Sequence, residues 1–477
     1  MSTPSPIRFG TDGWRAVIAK DMTVDNVARV SKATASYIKE NSEDPKIVIG
    51  HDCRFAGQLF VETAAQVFAA EGIRVVLARD FVSTPMLSLA TREYAASLGV
   101  IVTASHNPPE YNGYKLRGSY GGALTPDQVA EVEKRVPDEV PEAVNGKGVE
   151  ELKAEGKVEV ADLEKLYCDR IKGSFDLKAI EDSGMTLAYD AMFGAGQRVF
   201  DHIFPEMVCL HCEYNPSFKG TPPEPIERNL RECAEYIKDR MEIDCGLATD
   251  GDADRLGLFN GQGRFIDSHH IILLVLHYLV AHKGMKGKVV TAFSCSKKIE
   301  RLCQYHGLEH ETVKIGFKHI VNIMLREDVL LGGEESGGIA IKGHIPERDG
   351  IWIGMLLWEY MAKTGNSINE LIREVYGIVG EFAFQRRDLH IDEDVKQRII
   401  EDCERGSYSR FGDFEVKRME SLDGFKFFLN EDEWVMIRPS GTEPVLRTYS
   451  EASDRKRAQD ILQACRETIL EGNRVKE

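Results

Sequence analysis

The chain has 477 residues, 43% hydrophobic and 29% charged, which excludes a disordered or fibrous protein and leaves room for about three buried cores. A formal charge of −17 excludes a general nucleic-acid or membrane-surface binder, so an anionic ligand would need a local cluster of Arg and Lys. The start, MSTPSPIRFG, has no apolar segment of a secretory signal, and ten scattered cysteines suit a reducing, cytoplasmic location.

In chain order, Lys46–Gly50 reads as a strand, 60–70 as a helix, Ile73–Ala78 as a strand and 85–94 as a helix. The next strand, Gly99–Val102, ends abruptly on Thr103, Ala104, Ser105, His106, Asn107 and Pro108. Ser, Asn and Pro are ordinary turn formers, so the segment is either a plain turn or the delivery of Ser105 to a site. The polar stretch Val136–Lys157 reads as a link. Thr186–Asp190 opens a second pass, with a helix after Gly194-Ala-Gly196 and a strand, Gly246–Thr249, that empties into DGDADR, Asp250–Arg255. Cys209 and Cys212 form a CxxC without a second ligand pair and read as a strand segment. Ile271–Ala281 is too short to cross a bilayer and reads as a core helix. A third pass runs through strand Lys288–Ala292, helix Ser296–His306, strand Glu311–Gly316 and strand Val329–Leu331, ending on GGEESGG, Gly332–Gly338.

Three times an apolar strand empties into a loop of small and charged residues, the end of an open α/β sheet where ligands bind. The period is too long for a solenoid. The expectation is three similar α/β domains with mixed sheets, arranged around one central cleft with a C-terminal α+β domain. That last part reads as hairpin strands Phe425–Leu429 and Trp434–Arg438, the loop RPSGTEP (Arg438–Pro444), strand Val445–Tyr449 and a helix from Ser453 to Gly472. The boundaries read as 1–150, 151–258, 259–370 and 371–477.

DGDADR places Asp250, Asp252 and Asp254 at alternate positions, where they can converge on Mg²⁺, which takes a few carboxylates and a substrate phosphate. An EF-hand is excluded, because Arg255 and Gly261 stand where Gly and Glu are required. In RPSGTEP, Arg438 can grip an oxyanion, Ser440 and Thr442 offer hydroxyls and Gly441 lets backbone N–H groups face a phosphate. Alone, it is equally a hairpin turn. Glu334, Glu335 and Ser336 would suit sugar hydroxyls. Gly194-Ala-Gly196 lacks the third glycine of a dinucleotide fingerprint, and no P-loop sequence occurs.

FGTDGWR (Phe9–Arg15), TASHNP, DGDADR, GEESGG and RPSGTEP, in this order, resemble the α-D-phosphohexomutases over nearly the whole chain. The resemblance implies that Ser105 is carried as a phosphoserine that donates its phosphoryl group to a hexose phosphate and regains one from the hexose 1,6-bisphosphate intermediate, which also serves as activator. It implies Mg²⁺ on Asp250, Asp252, Asp254 and a phosphate oxygen on Ser105. It implies Lys115 as general acid or base, with His106 in the proton transfer or in fixing the loop, and Arg15 and Arg255 beside the phosphoserine. Glu334, Ser336 and Lys318 match sugar contacts, and Arg438, Ser440, Gly441 and Thr442 match the clamp on the non-reacting phosphate. The five cations Arg15, Lys115, Arg255, Lys318 and Arg438 are expected to line a basic cleft within an acidic exterior.

The implied activity is a phosphoglucomutase on small sugar phosphates. Alternatives are a phosphomannomutase, a dual-specificity enzyme, a hexose 1,6-bisphosphate synthase and a non-catalytic sugar-phosphate sensor. The sensor would have lost Ser105, Lys115 or a metal aspartate, and all are present. The Glu-Glu-Ser run is closer to phosphoglucomutases than GEMSGH or GEQSGH loops are, whereas Gly338 takes the place of their histidine and is expected to open room.

Overall fold

The computed structural model describes residues 7–10, 12–439 and 445–471. The chain forms two compact units, residues 1–290 with 316–372, and residues 291–315 with 373–477.

The larger unit begins with β1 (Trp14–Val17), β2 (Lys46–His51), β3 (Arg74–Ala78), β4 (Leu98–Val102), β5 (Tyr111–Gly118) and β6 (Val158–Ala161). They form one mixed sheet in the order β1-β5-β4-β2-β3-β6. β2 runs parallel to β3 and β4, and β5 antiparallel to β1 and β4. β4 is buried along its whole length, which is why it reads as an unbroken apolar run rather than an alternating one. Val100 and Val102 pack with Ile47 and Ile49 of β2, Phe60 and Phe68 of helix Gly57–Ala70, and Val27 and Val30 of helix Val24–Asn41. The register sets Lys115 of β5 against Ile101 and Arg117 against Gly99. Both cations therefore lie beside the strand that ends on Ser105.

The stretch 136–157 is not a free link. It contains helix Val149–Ala154, Leu152 and Val158 join the first core, and β6 pairs with β3. The first sheet thus runs past residue 150 to Ala161, because these apolar anchors hold an otherwise polar segment in place.

A second mixed sheet has the order β11-β10-β9-β7-β8, from β7 (Leu187–Asp190), β8 (Val208–Leu210), β9 (Cys245–Thr249), β10 (Leu256–Asn260) and β11 (Phe265–Ile266). β7 is parallel to β8 and β9, and β10 returns antiparallel. The helix expected after Gly196 is only the short Val199–Ile203. Ile271–Ala281 lies in a buried helix, Ser268–His277, that continues as a π-helical turn to His282. Next come β12 (Lys288–Ala292), β13 (His310–Val313), β14 (Val329–Gly333) and β15 (Ile339–Ile341), with β14 antiparallel to β15. β13 stops at Val313, short of the expected Gly316, whose φ of +126° leaves strand geometry.

The smaller unit holds an antiparallel sheet in which Val445–Ala452 pairs with Ala383–His390 and Trp434–Pro439, and the latter pairs with Phe425–Phe428. Helix Arg455–Glu471 covers it, burying Ala458, Ile461, Leu462, Cys465 and Ile469 against Leu446 and Ile437. The α+β reading of this region holds. Among the described residues, no helix is long and apolar enough to cross a membrane.

Candidate active site

Ser105 sits one turn beyond β4 with φ +53°, a left-handed conformation that is uncommon outside glycine. Its hydroxyl donates to Asp250 Oδ2 at 2.7 Å and lies 3.3 Å from His106 Nδ1. The approach of the two loops depends on Gly251, where a Cβ would fall 2.5 Å from the Ser105 carbonyl oxygen.

Asp250, Asp252 and Asp254 are fully buried at the mouth of β9, and one oxygen from each lies within 4.8 Å of the others. Burial, then the charges of Asp252 and Asp254, push the Asp250 carboxyl well above the ordinary range. Burial also opposes the charge on Asp252, but the Lys115 ammonium and the Thr84 hydroxyl hold that carboxyl low. One oxygen each of Asp252 and Asp254 is buried without a hydrogen-bond partner. Crowded carboxylates with orphaned oxygens fit a small, hard divalent cation, which would supply the missing positive charge.

Lys115 reaches Asp252 at 2.7 Å, Asp12 at 2.9 Å and Asp254 at 3.4 Å. Burial acts to lower its pKa, yet these three carboxylates outweigh it and raise the pKa above the ordinary lysine value. Arg348 bridges Asp12 and Asp254, at 2.6 Å to each, while Arg117 pairs with Asp12 and Glu347. Arg15 donates to the Asn107 side chain at 2.6 Å, and the Arg255 guanidinium lies 3.8 Å from Asp254. Burial and the nearby Arg255, Arg15 and Lys115 hold His106 well below the usual histidine range, so it is a neutral imidazole. The expected basic cleft is therefore, around Ser105, an interleaving of cations with carboxylates.

In the GEESGG loop, Glu334 is buried, accepts from the Gly316 N–H at 2.8 Å and lies 4.0 Å from Arg348 Nη1. Glu335 and Ser336 are half-buried beside it. Gly338 does not open room: a Cβ there would lie 2.3 Å from Arg348 Cδ, because the Arg348 stem fills that space. Lys318 lines a cavity with Phe9, Asp12, Gly13, Leu116 and Glu133. Arg438, in the smaller unit, is half-buried and pairs with Asp423 at 3.2 Å. Ser440, Gly441 and Thr442 lie outside the described residues.

Family models for phosphoglucomutase/phosphomannomutase domains match four successive stretches of the chain: domain I at residues 6–142, domain II at 165–263, domain III at 267–378 and the C-terminal domain at 412–468. A phosphoglucomutase/phosphomannomutase of Thermococcus kodakarensis is 30% identical over 95% of this chain and 96% of its own length. The chain belongs to the phosphoglucomutase/phosphomannomutase family. A phosphoglucosamine/phosphogalactosamine mutase of Sulfurisphaera tokodaii is 28% identical over 97% of this chain and 99% of its own. A crystal structure from Thermus thermophilus, provisionally named a phosphomannomutase, superposes with TM-score 0.86 at 32% identity, covering 98% of this chain and 99% of that one. Phosphohexomutases are intramolecular phosphotransferases, so this chain is an enzyme of that class.

Several residues of this buried cluster escape a reading of the sequence. Asp12 lies inside FGTDGWR, yet only the structure makes it the shared partner of Lys115, Arg117 and Arg348. Glu347, Arg348 and Asp349 form a charged run that immediately precedes the buried helix Gly350–Thr364, and charge placed directly before an apolar helix is the signal that could have found them. Asp52 and Arg54 follow β2 as Ser105 follows β4, and the same rule could have found them.

Proposed function

We propose that the protein interconverts hexose 1-phosphate and hexose 6-phosphate through a phosphorylated Ser105 and a hexose 1,6-bisphosphate. The observation that carries this reading is the 2.7 Å hydrogen bond from Ser105 Oγ to Asp250, inside the buried cluster that Lys115 neutralises in part. Phosphoryl transfer asks a protein mainly for positioning and charge neutralisation, and this cluster is built for both.

In the first half-reaction the phosphoryl group leaves Ser105 Oγ for the free hydroxyl of the hexose phosphate. The hydroxyl proton departs and the serine oxygen regains one. Lys115 is the proton-handling group, a single ammonium held by Asp12, Asp252 and Asp254, with the neutral His106 3.3 Å from the serine oxygen. In the second half the bisphosphate, turned over, returns its other phosphoryl group to Ser105, and free bisphosphate activates enzyme that has lost its phosphate. Asp250, Asp252, Asp254 and the phosphate on Ser105 would hold Mg²⁺, which supplies charge neutralisation to the transferring group. Arg15 and Arg255 orient the phosphoserine. Glu334, Ser336 and Lys318 bind the sugar, and Arg438, Ser440, Gly441 and Thr442 hold the phosphate that is not reacting.

Glucose phosphates are the favoured substrates in this reading, supported by the Glu334-Glu335-Ser336 run. Relatives named for phosphoglucosamine favour a second reading, in which a 2-amino sugar is turned over. Turnover of glucose, mannose, glucosamine and galactose 1-phosphates, each with trace hexose 1,6-bisphosphate and Mg²⁺, tests both. Highest kcat/KM on glucose 1-phosphate is expected. A higher value on glucosamine 1-phosphate overturns the substrate choice, and no turnover of any hexose phosphate overturns the function.

A further inference from the structure

Arg54 is 1% exposed, just past β2, and its guanidinium faces the backbone of the segment that carries Ser105. Nη2 donates to the carbonyl oxygens of Ser105 and Asn107, both at 2.6 Å. Nη1 donates to those of Pro108 at 2.8 Å and Tyr111 at 3.0 Å. The Arg54 N–H donates to Asp52 Oδ1 at 2.9 Å, and the Thr103 hydroxyl donates to Asp52 Oδ2. Thr103 in turn accepts the Ser105 N–H at 2.9 Å, which closes a ring of contacts from Arg54 through Asp52 back to Ser105. The Phe218 ring lies 4.9 Å from the guanidinium carbon.

This arrangement is more than ordinary loop satisfaction. Four carbonyls are gathered by one planar cation, whose fork suits several acceptors at once. The peptide plane fixes the consequence: turning the Ser105 carbonyl toward Arg54 turns the His106 N–H the opposite way. Partial negative charges next to the serine are thereby engaged by a cation. The left-handed Ser105, a conformation a serine rarely adopts unaided, is held from both its carbonyl and its N–H.

We infer that Arg54 is a positioning residue for phosphoryl transfer: by gathering the carbonyls of Ser105, Asn107, Pro108 and Tyr111 it fixes the serine in the left-handed conformation that aims Oγ at the aspartate cluster. The inference rests on the reading of Ser105 as the phosphoryl carrier. Lysine at this place keeps the charge but lacks the fork, so the loop is held by fewer bonds and the serine samples other orientations.

The test is a single-turnover measurement of phosphate transfer from glucose 1,6-bisphosphate to Ser105 in wild type and in Arg54→Lys, with melting temperature and amide hydrogen exchange of residues 104–111 followed in parallel. A misplaced reacting group costs about 100-fold, so Arg54→Lys is expected to transfer that much more slowly. Its KM for hexose 1-phosphate should stay within about threefold, the split of an interaction that acts on the chemical step. Faster exchange in 104–111 is also expected. Arg54→Gln is measured alongside and should lose more. Transfer at the wild-type rate in a folded Arg54→Lys overturns the inference while leaving the carrier assignment intact. Wild type that takes up no phosphate overturns the carrier assignment and the inference with it. Failure of both variants to fold shows Arg54 to be a structural residue and overturns the positioning role.

Discussion

The surroundings of Ser105 and those of Arg438 are built on opposite plans. Ser105, Lys115, Asp250, Asp252 and Asp254 are buried, and each charge is fixed by neighbours within 3.4 Å or so close that their charges interact. Arg438 stays half-buried and its partner Asp423 is likewise partly exposed. Buried charge interacts strongly because little water screens it, and it cannot relax when a neighbour is removed. A half-buried guanidinium can exchange a carboxylate for a phosphate at little reorganisation. If Ser105 carries the phosphoryl group and Arg438 binds the other phosphate, as proposed above, changes in the first region should fall on kcat and changes in the second on KM.

The largest effect is expected for Ser105→Ala. Loss of a nucleophile that acts as one unit with its partners should lower kcat by roughly 10⁴-fold or more, measured by coupled steady-state assay. Next is Asp252→Asn, which removes a charge facing both Lys115 and the cation position; preorganised charge at a reacting centre is worth roughly 10² to 10³ in kcat. Chelation of wild type should abolish turnover and readdition of Mg²⁺ restore it, whereas full activity in excess chelator would contradict the metal role. Arg438→Ala is expected to be milder. A charged hydrogen bond contributes about 1.5–3 kcal/mol, so kcat/KM should fall roughly ten- to a hundred-fold, mainly through KM. An unchanged KM together with an unchanged kcat would contradict a role for Arg438 in holding the substrate.

The smallest effect is expected at Gly338→Ala. The new methyl would lie 2.3 Å from Arg348 Cδ, so the stem of that side chain must move by about 1 Å to reach ordinary contact. Since Arg348 also ties Asp12 to Asp254, its displacement should still reach the chemistry, with kcat down severalfold and KM little changed. Loss confined to KM would mean that the sugar loop and the aspartate loop are independent.

Much of this was legible in the sequence because strand ends are. Apolar runs that stop on TASHNP, DGDADR and GEESGG located Ser105, the aspartates and Glu334 without coordinates. Which charges share partners was not legible. Asp12, Arg117 and Arg348 are separated by up to 336 positions, and only the fold makes them one network. The same holds for the space at Gly338, which looks vacant in sequence and is filled by a side chain ten residues away. The segment 136–157 reads as a link for a related reason: its composition is polar, and Leu152, with Val136 and Val149 partly buried beside it, packs it on the first core.

Whether Ser105 carries the phosphoryl group is decided most directly by mass. Wild type and Ser105→Ala are incubated with glucose 1,6-bisphosphate and Mg²⁺, then analysed as intact chains and as peptides. One added phosphate is expected on wild type, located at Ser105 and removed by excess hexose 1-phosphate, with none on the alanine variant. Phosphate retained by Ser105→Ala, or located on another residue of the wild type, would contradict it.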